Sequence, residues 1–197
     1  MTPLKVVGAV CLILGVMGVG QVSSHGRVLN PPTRGSLWRE PEYAWANPGH
    51  QADDQELLCG GRDVTDPYVG ACGLCGDSLL DPRPRKHEIG GEFDRGLIVR
   101  NYTVGQTIPI EIVIAVDHRG WHEFRLCPYS ETGVESEECF NRHLLRFGHG
   151  STRELLNGQT SVVLPAGVTC SRCVLQWSWF GEGSNQYYRN CMDISIR

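Results

Sequence analysis

TIPIEIVIAVDH, residues 107–118, repeats a large aliphatic side chain at every second position. The aliphatic positions of one parity are Ile108, Ile110, Ile112, Ile114 and Val116. Glu111 and Asp117 have the opposite parity. Because successive side chains of a β-strand point to opposite faces, this pattern predicts a strand with one buried and one solvated face. A helix would repeat its apolar residues every three or four positions instead.

Four further segments indicate additional strands. They are HEFRLCPY (122–129), TSVVLPAG (160–167), CVLQWSWFG (173–181) and CMDISIR (191–197). Gly, Pro, Asn and Asp separate them, as in turns between short antiparallel strands. Residues 30–95 are rich in Pro, Gly and charge, and we expect long loops with a short helix there. The sequence therefore predicts an all-β antiparallel sandwich with long loops.

The first 24 residues have the order of a secretory signal peptide. Lys5 supplies one positive charge, an apolar run follows it, and small residues precede the Ser24–His25 bond. The run is shorter than the roughly 20 residues that a membrane-spanning helix needs, which makes a retained membrane anchor the weaker alternative. We therefore expect cleavage after Ser24, secretion to the extracellular space, no later membrane contact, and a single mature domain over residues 25–197.

The charge balance argues against nucleic acid as a partner. The chain has 18 Lys and Arg against 22 Asp and Glu, a formal net charge of −4, and loss of Lys5 with the leader makes it −5. Phosphate binding needs a basic patch, and the sequence shows no run that would build one.

The cysteines predict a disulfide framework. Nine are present, and removal of Cys11 with the leader leaves eight, an even set that a secreted chain would use for four disulfides. They are Cys59, Cys72, Cys75, Cys127, Cys139, Cys170, Cys173 and Cys191. The pairing stays open. A zinc ribbon built from CGLC (72–75) and CSRC (170–173) is the alternative, but its halves normally lie about 15–20 residues apart and here they are far more distant.

The triplet NYT at residues 101–103 is an acceptor sequence for N-glycosylation. In a secreted chain it would place a glycan on Asn101. Such a modification requires that this side chain be exposed.

An N-terminal histidine is an unusual metal ligand, because its α-amine and Nδ1 can both bind one ion. The amine pKa of about 7.7–8.0 and the imidazole pKa of about 6.5 let a metal displace both protons near neutral pH. Together with a second imidazole, His25 would present three nitrogens, a set that suits Cu(II). His118 is the expected partner, because it has the parity of Val116 and lies where the chain leaves the strand.

The remaining histidines are weaker candidates. His122 is the rival of His118 if the strand continues through Gly120, and otherwise it packs beside the sheet or adds a titrating group near the metal. Four others lie in polar or Gly-rich sequence and are expected at the surface: His50, His87, His143 and His149.

Five motifs together resemble the lytic polysaccharide monooxygenases, and among them auxiliary activity family fifteen. They are HGRVLNPPTRGSLWR (25–39), CGLCGD (72–77), VDHRGWHEFRLCP (116–128), CSRCVLQW (170–177) and YYRNCMDISI (187–196). The resemblance spans the mature chain. It implies an immunoglobulin- or fibronectin-III-like sandwich and a single copper on a flat face, acting as a monomer on insoluble polysaccharide. It also implies oxidation of C–H bonds in chitin or cellulose, with an external reductant and hydrogen peroxide or oxygen.

The resemblance assigns roles to particular residues. The copper ligands would be the amine and Nδ1 of His25, an imidazole nitrogen of His118, and Tyr188 in the axial position. Strand parity also places Tyr188 on the core face, unless a bulge near Asn190 reverses it. Gln186 is a candidate for orienting the oxidant, although relatives often have this polar residue at a slightly different spacing.

Aromatic side chains could hold a sugar ring. Trp121, at the turn beside His118, is the first candidate for stacking, and Trp38, Tyr43 and Trp45 are others. Packing in the core is the alternative role for each of them.

Two other function classes remain open. One is a secreted carbohydrate-binding or copper-carrying sandwich without catalysis, and the other is a metal-free matrix protein. Chitin is favoured over cellulose by analogy with the family alone.

Overall fold

Two β-sheets enclose one apolar core. The computed structural model describes residues 25–55, 57–59, 72–117, 119–155, 158–182 and 186–197, with the backbone alone at residues 25 and 58. The predicted leader, residues 1–24, and the predicted ligand His118 lie outside the described residues.

Ten strands occur in the described part of the chain. They are β1 His25–Asn30, β2 Leu58–Cys59, β3 Arg100–Tyr102, β4 Thr107–Val116, β5 Trp121–Cys127, β6 Arg146–Phe147, β7 Glu154–Leu155, β8 Gln159–Val163, β9 Cys170–Gly181 and β10 Gln186–Ile196. One sheet has the order β1-β4-β8-β6. The other has the order β2-β10-β9-β5-β7, and β3 also pairs with β10.

Helical structure is short. Two 3-10 helices, Arg34–Arg39 and Pro41–Ala46, follow β1, and α1 Tyr129–Thr132 and α2 Glu137–Asn141 follow β5. Among the described residues, the helices are too short and polar for any of them to span a membrane. The predicted loop region after β1 therefore contains two short helices rather than one.

Strand β4 confirms the interpretation of residues 107–118. Ile108, Ile110 and Ile112 are at most 4% exposed, and Glu111 between them is exposed. The alternation fades after Ile112, and the pairing with β1 shifts register between His25 and Gly26. The strand thus leaves the core at the end of the sandwich where residue 118 follows.

The predicted all-β sandwich is confirmed, with two differences in detail. Strand β3 runs parallel to β10, because a long loop rather than a hairpin leads into it. Strand β10 begins at Gln186, five residues before the predicted segment. Tyr188 and Asn190 are buried there, while Tyr187 and Arg189 are partly exposed. Because the buried face includes the polar Asn190, the sequence does not show the alternation of apolar and polar residues that is typical of a strand.

The eight cysteines form four disulfides, which confirms that prediction and contradicts the zinc ribbon. The pairs are Cys59–Cys72, Cys75–Cys191, Cys127–Cys139 and Cys170–Cys173. CGLC and CSRC therefore do not share a metal. The cysteines of CGLC form disulfides with Cys59 and Cys191, and those of CSRC form a disulfide with each other. The bond from Cys75 to Cys191 attaches the long loop region to β10.

A buried arginine fixes the segment after β1 to the opposite sheet. Arg34 donates from Nε and Nη2 to the two carboxylate oxygens of Asp193, at 2.7 and 2.8 Å, and from Nη1 to Glu135 at 2.8 Å. Burial raises the pKa of the Glu135 carboxyl, and Arg34 opposes that shift. Loss of Arg34 would remove the cation that pairs with the buried Glu135 and one of the two that pair with Asp193, the other being Arg172 at 3.0 Å, so this contact is structural.

Candidate metal centre

The first residue of β1 lies beside the end of β4. His25 is paired antiparallel with Val116, and Gly26 donates its N–H to the carbonyl oxygen of Gln55 at 3.0 Å. Val116 precedes His118 by two residues, so the two predicted histidine ligands belong to adjacent chain segments. The contact between their side chains stays a prediction, because neither side chain is among those described.

Side chains and backbone fix the residues on both sides of His118. The N–H of Arg119 donates to Oδ1 of Asp117 at 2.6 Å, and Arg119 has a φ of 57°. Gly120 has a φ of 86°, and a Cβ there would lie 1.8 Å from the carbonyl oxygen of Phe180. Glycine is therefore required at position 120. The chain crosses from one sheet to the other here, so β4 does not continue through Gly120.

Tyr188 lies on the core face of β10, in the position that strand parity predicts. It is 1% exposed, and its ring stacks on Trp179 with 4.8 Å between ring centroids. Between β9 and β10 the register shift falls at Ile194–Ile196 and not near Asn190, so the parity of Tyr188 is preserved.

The structure brings Gln186 and Tyr188 together. The Tyr188 hydroxyl donates to Oε1 of Gln186 at 2.8 Å. The spacing of two residues, which departs from that of many relatives, therefore still allows a direct contact. The roles of both side chains toward a metal or an oxidant stay predictions.

Two contacts that local sequence patterns do not reveal join β1 to the larger sheet. Val28 donates its N–H to Oδ1 of the buried Asn190 at 3.2 Å. Trp179 lies under Gly26, where an added Cβ would be 3.2 Å from Cζ3 of the indole. The WSW pattern at 177–179 indicates only that both tryptophans share a face, and nothing local distinguishes Trp179 from Trp177.

His122 packs in the core, as the second of its alternatives proposed. It is fully buried, its Nδ1 accepts from Nε1 of Trp177 at 3.0 Å, and its Nε2 lies 3.1 Å from Oε1 of Glu154. Burial lowers its pKa to about 4, although Glu154 opposes the shift. Both ring nitrogens have protein partners, so the structure does not favour His122 as a metal ligand.

The low pKa of His122 predicts a pH-dependent stability. Between pH 6.5 and about 4 the unfolded chain protonates this residue and the folded chain does not, so stability falls as the pH falls through that window. The loss from this residue is about 3 kcal/mol, and it is complete near pH 4. Urea unfolding at pH 7 and pH 4.5 measures the loss. His122→Gln should have a clearly smaller difference between the two pH values, and an unchanged difference would assign the loss to other groups.

One prediction about the other histidines is wrong. His87 is buried rather than at the surface, with Nδ1 at 2.6 Å from Asp77 and Nε2 at 2.6 Å from Oε1 of Gln51. Its polar neighbours in the sequence predict an exposed side chain. The residues that hold it in the interior, Asp77 and Gln51, are 10 and 36 residues away in the sequence. His50 and His149 are exposed and His143 is half-buried.

The aromatic candidates differ in how much of each ring is free. Trp121 is half-buried, with the guanidinium of Arg153 3.9 Å from its ring centroid. Trp38 is half-buried and lies against His50 at 4.3 Å between ring centroids. Tyr43 donates its hydroxyl to the carbonyl of Val99 at 2.8 Å, and Trp45 is 76% exposed. Contact of any of them with a sugar stays a prediction.

Comparison with known proteins identifies the family. A family model described as lytic polysaccharide mono-oxygenase, cellulose-degrading, matches residues 25–194. No curated protein sequence matches the chain significantly.

Solved structures agree with that match. The chain is 38% identical to an AA15 lytic polysaccharide monooxygenase from Thermobia domestica in the Cu(I) state, covering 87% of this chain and 98% of that one with a TM-score of 0.77. It shares the fold of an AA10 enzyme from Streptomyces lividans, at 14% identity, coverage of 87% and 99%, and a TM-score of 0.55. It also shares the fold of a cellulose-active enzyme in complex with copper, at 19% identity, coverage of 87% and 98%, and a TM-score of 0.54. The chain therefore belongs to the lytic polysaccharide monooxygenase family and is a copper-dependent oxidoreductase.

Proposed function

We propose that this protein is secreted and that removal of residues 1–24 creates its copper site. The residues that would hold copper are His25, through its α-amine and Nδ1, His118, through an imidazole nitrogen, and Tyr188. The observation that carries this proposal is the antiparallel pairing of His25 with Val116, two residues before His118. Residues paired across antiparallel strands project to the same face, which favours a common direction for the two histidines. The family match also begins at His25.

The donor set fits copper. An amine and two imidazoles are neutral nitrogen donors, which suit a tetragonal copper ion better than they suit magnesium or calcium. The strands that carry them are held by backbone pairing and by the buried contact of Val28 with Asn190. Copper bound there would supply one-electron redox chemistry for oxidation of a substrate C–H bond.

The protein side chains hold the geometry around the metal. Tyr188 would be held toward the metal from the core, because Trp179 stacks on its ring and Gln186 accepts the hydrogen bond of its hydroxyl. The oxygen of the Gln186 amide accepts from the phenol, and the nitrogen of the same amide carries its two N–H donors. They are suitable donors for an oxygen co-substrate, either hydrogen peroxide or oxygen, while an external reductant supplies electrons.

The substrate we propose is chitin, with cellulose as the second candidate. The description of the matching family names cellulose degradation. The preference for chitin comes instead from analogy with chitin-active members of auxiliary activity family fifteen. Trp121 would contact a sugar ring, with Arg153 supporting its other face at 3.9 Å. The protein would act as a monomer at the surface of the insoluble polymer.

Secretion agrees with the disulfides and the surface chemistry. Four disulfides are typical of proteins that fold in an oxidising compartment. Asn101 is exposed in β3, and its side-chain oxygen accepts from the hydroxyl of Ser195 at 2.6 Å. Its amide nitrogen is the atom that a glycan would modify.

Product analysis tests the proposed activity and substrate. The copper-loaded protein beginning at His25 is incubated separately with chitin and with cellulose, each with a reductant and hydrogen peroxide. We expect mass spectra with oligosaccharides heavier by one oxygen, or lighter by two hydrogens, from chitin and few or none from cellulose. Reactions without reductant are the control.

The outcome also separates the alternatives. If only cellulose gave oxidised products, cellulose would replace chitin as the proposed substrate. Tight copper binding without oxidised products from either polymer would favour a copper carrier or carbohydrate-binding protein.

A further inference from the structure

We propose that Trp179 is a positioning residue that sets the distances between the three chain segments that carry the copper ligands. The proposal rests on the copper site proposed above. Trp179 is not itself a ligand. Its side chain in β9 is fully buried. It contacts Gly26 and Arg119, which follow the two proposed histidine ligands, and Tyr188, the third proposed ligand.

Each face or edge of the Trp179 indole has a different partner. Nε1 donates to the carbonyl oxygen of Arg119 at 2.9 Å, immediately after His118. Cζ3 lies 3.2 Å from the point where Gly26 would carry a Cβ, immediately after His25. The ring stacks on Tyr188, with 4.8 Å between centroids and 26° between planes. The three segments are otherwise distant in sequence.

The contact with Arg119 fixes a turn that has little other freedom. Asp117 accepts the N–H of Arg119, and Gly120 approaches the backbone of Phe180 too closely for any side chain. The indole N–H of Trp179 holds the carbonyl oxygen of Arg119, which lies between Asp117 and Gly120. Loss of this donor would leave the Arg119 carbonyl without its indole partner and allow the backbone at Arg119 to relax.

The contact with Gly26 sets the height of β1 above the core. A glycine at this position lets the strand lie directly on the indole, since a Cβ would force the ring or the strand to move by a few tenths of an ångström. Metal sites depend on ligand positions at about the 0.5 Å level. One rigid ring therefore controls where Gly26 and Arg119, the residues that follow the two histidines, lie relative to Tyr188.

Trp177 provides a matched control. It is also a fully buried tryptophan of β9, and its Nε1 donates to Nδ1 of His122 at 3.0 Å. A Trp→Phe change at either position removes one indole donor from the core. Among the described residues, the contacts with Gly26, Arg119 and Tyr188 belong to Trp179, whereas the indole N–H of Trp177 is directed to His122.

The experiment compares Trp179→Phe and Trp177→Phe in the full mature protein. Three properties are measured: the Cu(II) affinity by calorimetry, the Cu(II) EPR spectrum, and the melting temperature of the metal-free protein. We expect both variants to melt at similarly lower temperatures. Trp179→Phe should bind Cu(II) about 10–100-fold more weakly with an altered EPR spectrum, as when a group that orients a metal ligand is lost. Trp177→Phe should keep the wild-type affinity and spectrum.

Gly26→Ala tests the same contact while keeping the indole, and it decides the question if Trp179→Phe does not fold. It should also change the EPR spectrum, because its Cβ pushes against Trp179. A wild-type EPR spectrum in both Trp179→Phe and Gly26→Ala would overturn the positioning role. Equal changes of the spectrum in Trp179→Phe and Trp177→Phe would overturn it as well. Absence of a nitrogen-coordinated Cu(II) spectrum in the wild-type protein would instead reject the proposed copper site.

Discussion

Copper should bind at least about 100-fold more weakly to a protein with one extra residue before His25 than to the protein that begins at His25. The extra residue converts the α-amine into an amide, whose nitrogen has no basic lone pair for a metal. It also removes the chelate ring that the amine forms with Nδ1. Because loss of a group that only orients a ligand typically costs about 10–100-fold, loss of a direct ligand should cost more. Calorimetric titration with Cu(II) at pH 7, in competition with a chelator of known affinity, measures the difference.

Two controls accompany this titration. The metal-free proteins should unfold at the same temperature, since β1 keeps its pairing with β4 in both. His118→Ala should weaken copper binding comparably, and His143→Ala, at a half-buried histidine in another part of the chain, should not. Equal affinities for the extended and the unextended protein would place copper elsewhere.

Loss of the Cys75–Cys191 disulfide should destabilise the fold more than loss of any other disulfide. This bond joins residues 116 positions apart, whereas Cys170 and Cys173 are three positions apart. Chain-entropy arguments give about 5 kcal/mol for the long loop and about 2 kcal/mol for the short one. Total stabilities of about 5–15 kcal/mol make the larger loss severe.

Chemical denaturation of two double variants tests this ranking. Cys75→Ala with Cys191→Ala is compared with Cys170→Ala with Cys173→Ala, and urea midpoints and slopes give the free energy of unfolding. A loss in the first variant no larger than in the second would show that the long bond adds little to native stability.

The fold was largely predictable because its strands carry their pattern locally. In β4 the period of two is visible in the aliphatic residues alone, and the buried isoleucines follow it. The sequence indicates the first half of β10 only through the parity of Tyr188 and not as a strand segment, because Asn190 is a buried polar residue that accepts the N–H of Val28 from another sheet. A buried polar residue with a distant partner looks like a loop residue in sequence.

Contacts between distant segments account for what the sequence left open. Eight cysteines allow 105 pairings, and only the packing of the loop region against β10 brings Cys75 to Cys191. His87 was predicted at the surface because its partner Gln51 is 36 residues away.

The candidate site also contains residues that the sequence could predict and one that it could not. His25 and His118 were proposed from the chemistry of a free N-terminal histidine and the end of a strand, and the pairing of residue 25 with Val116 supports that proposal. Tyr188 was proposed from the family resemblance, and strand parity, which needs only local sequence, placed it on the core face. Trp179 could not be proposed, because its importance lies in partners 60 and 153 residues away, at Arg119 and Gly26.

The free amine of His25 should be required for substrate oxidation, and product analysis of two N-terminal forms of the protein tests this requirement. Copper-loaded protein beginning at His25 and protein with one additional N-terminal residue are incubated in parallel with chitin, reductant and hydrogen peroxide, and the products are analysed by mass spectrometry. We expect oxidised oligosaccharides from the first protein and none above background from the second. Equal amounts of oxidised product from both proteins would contradict it.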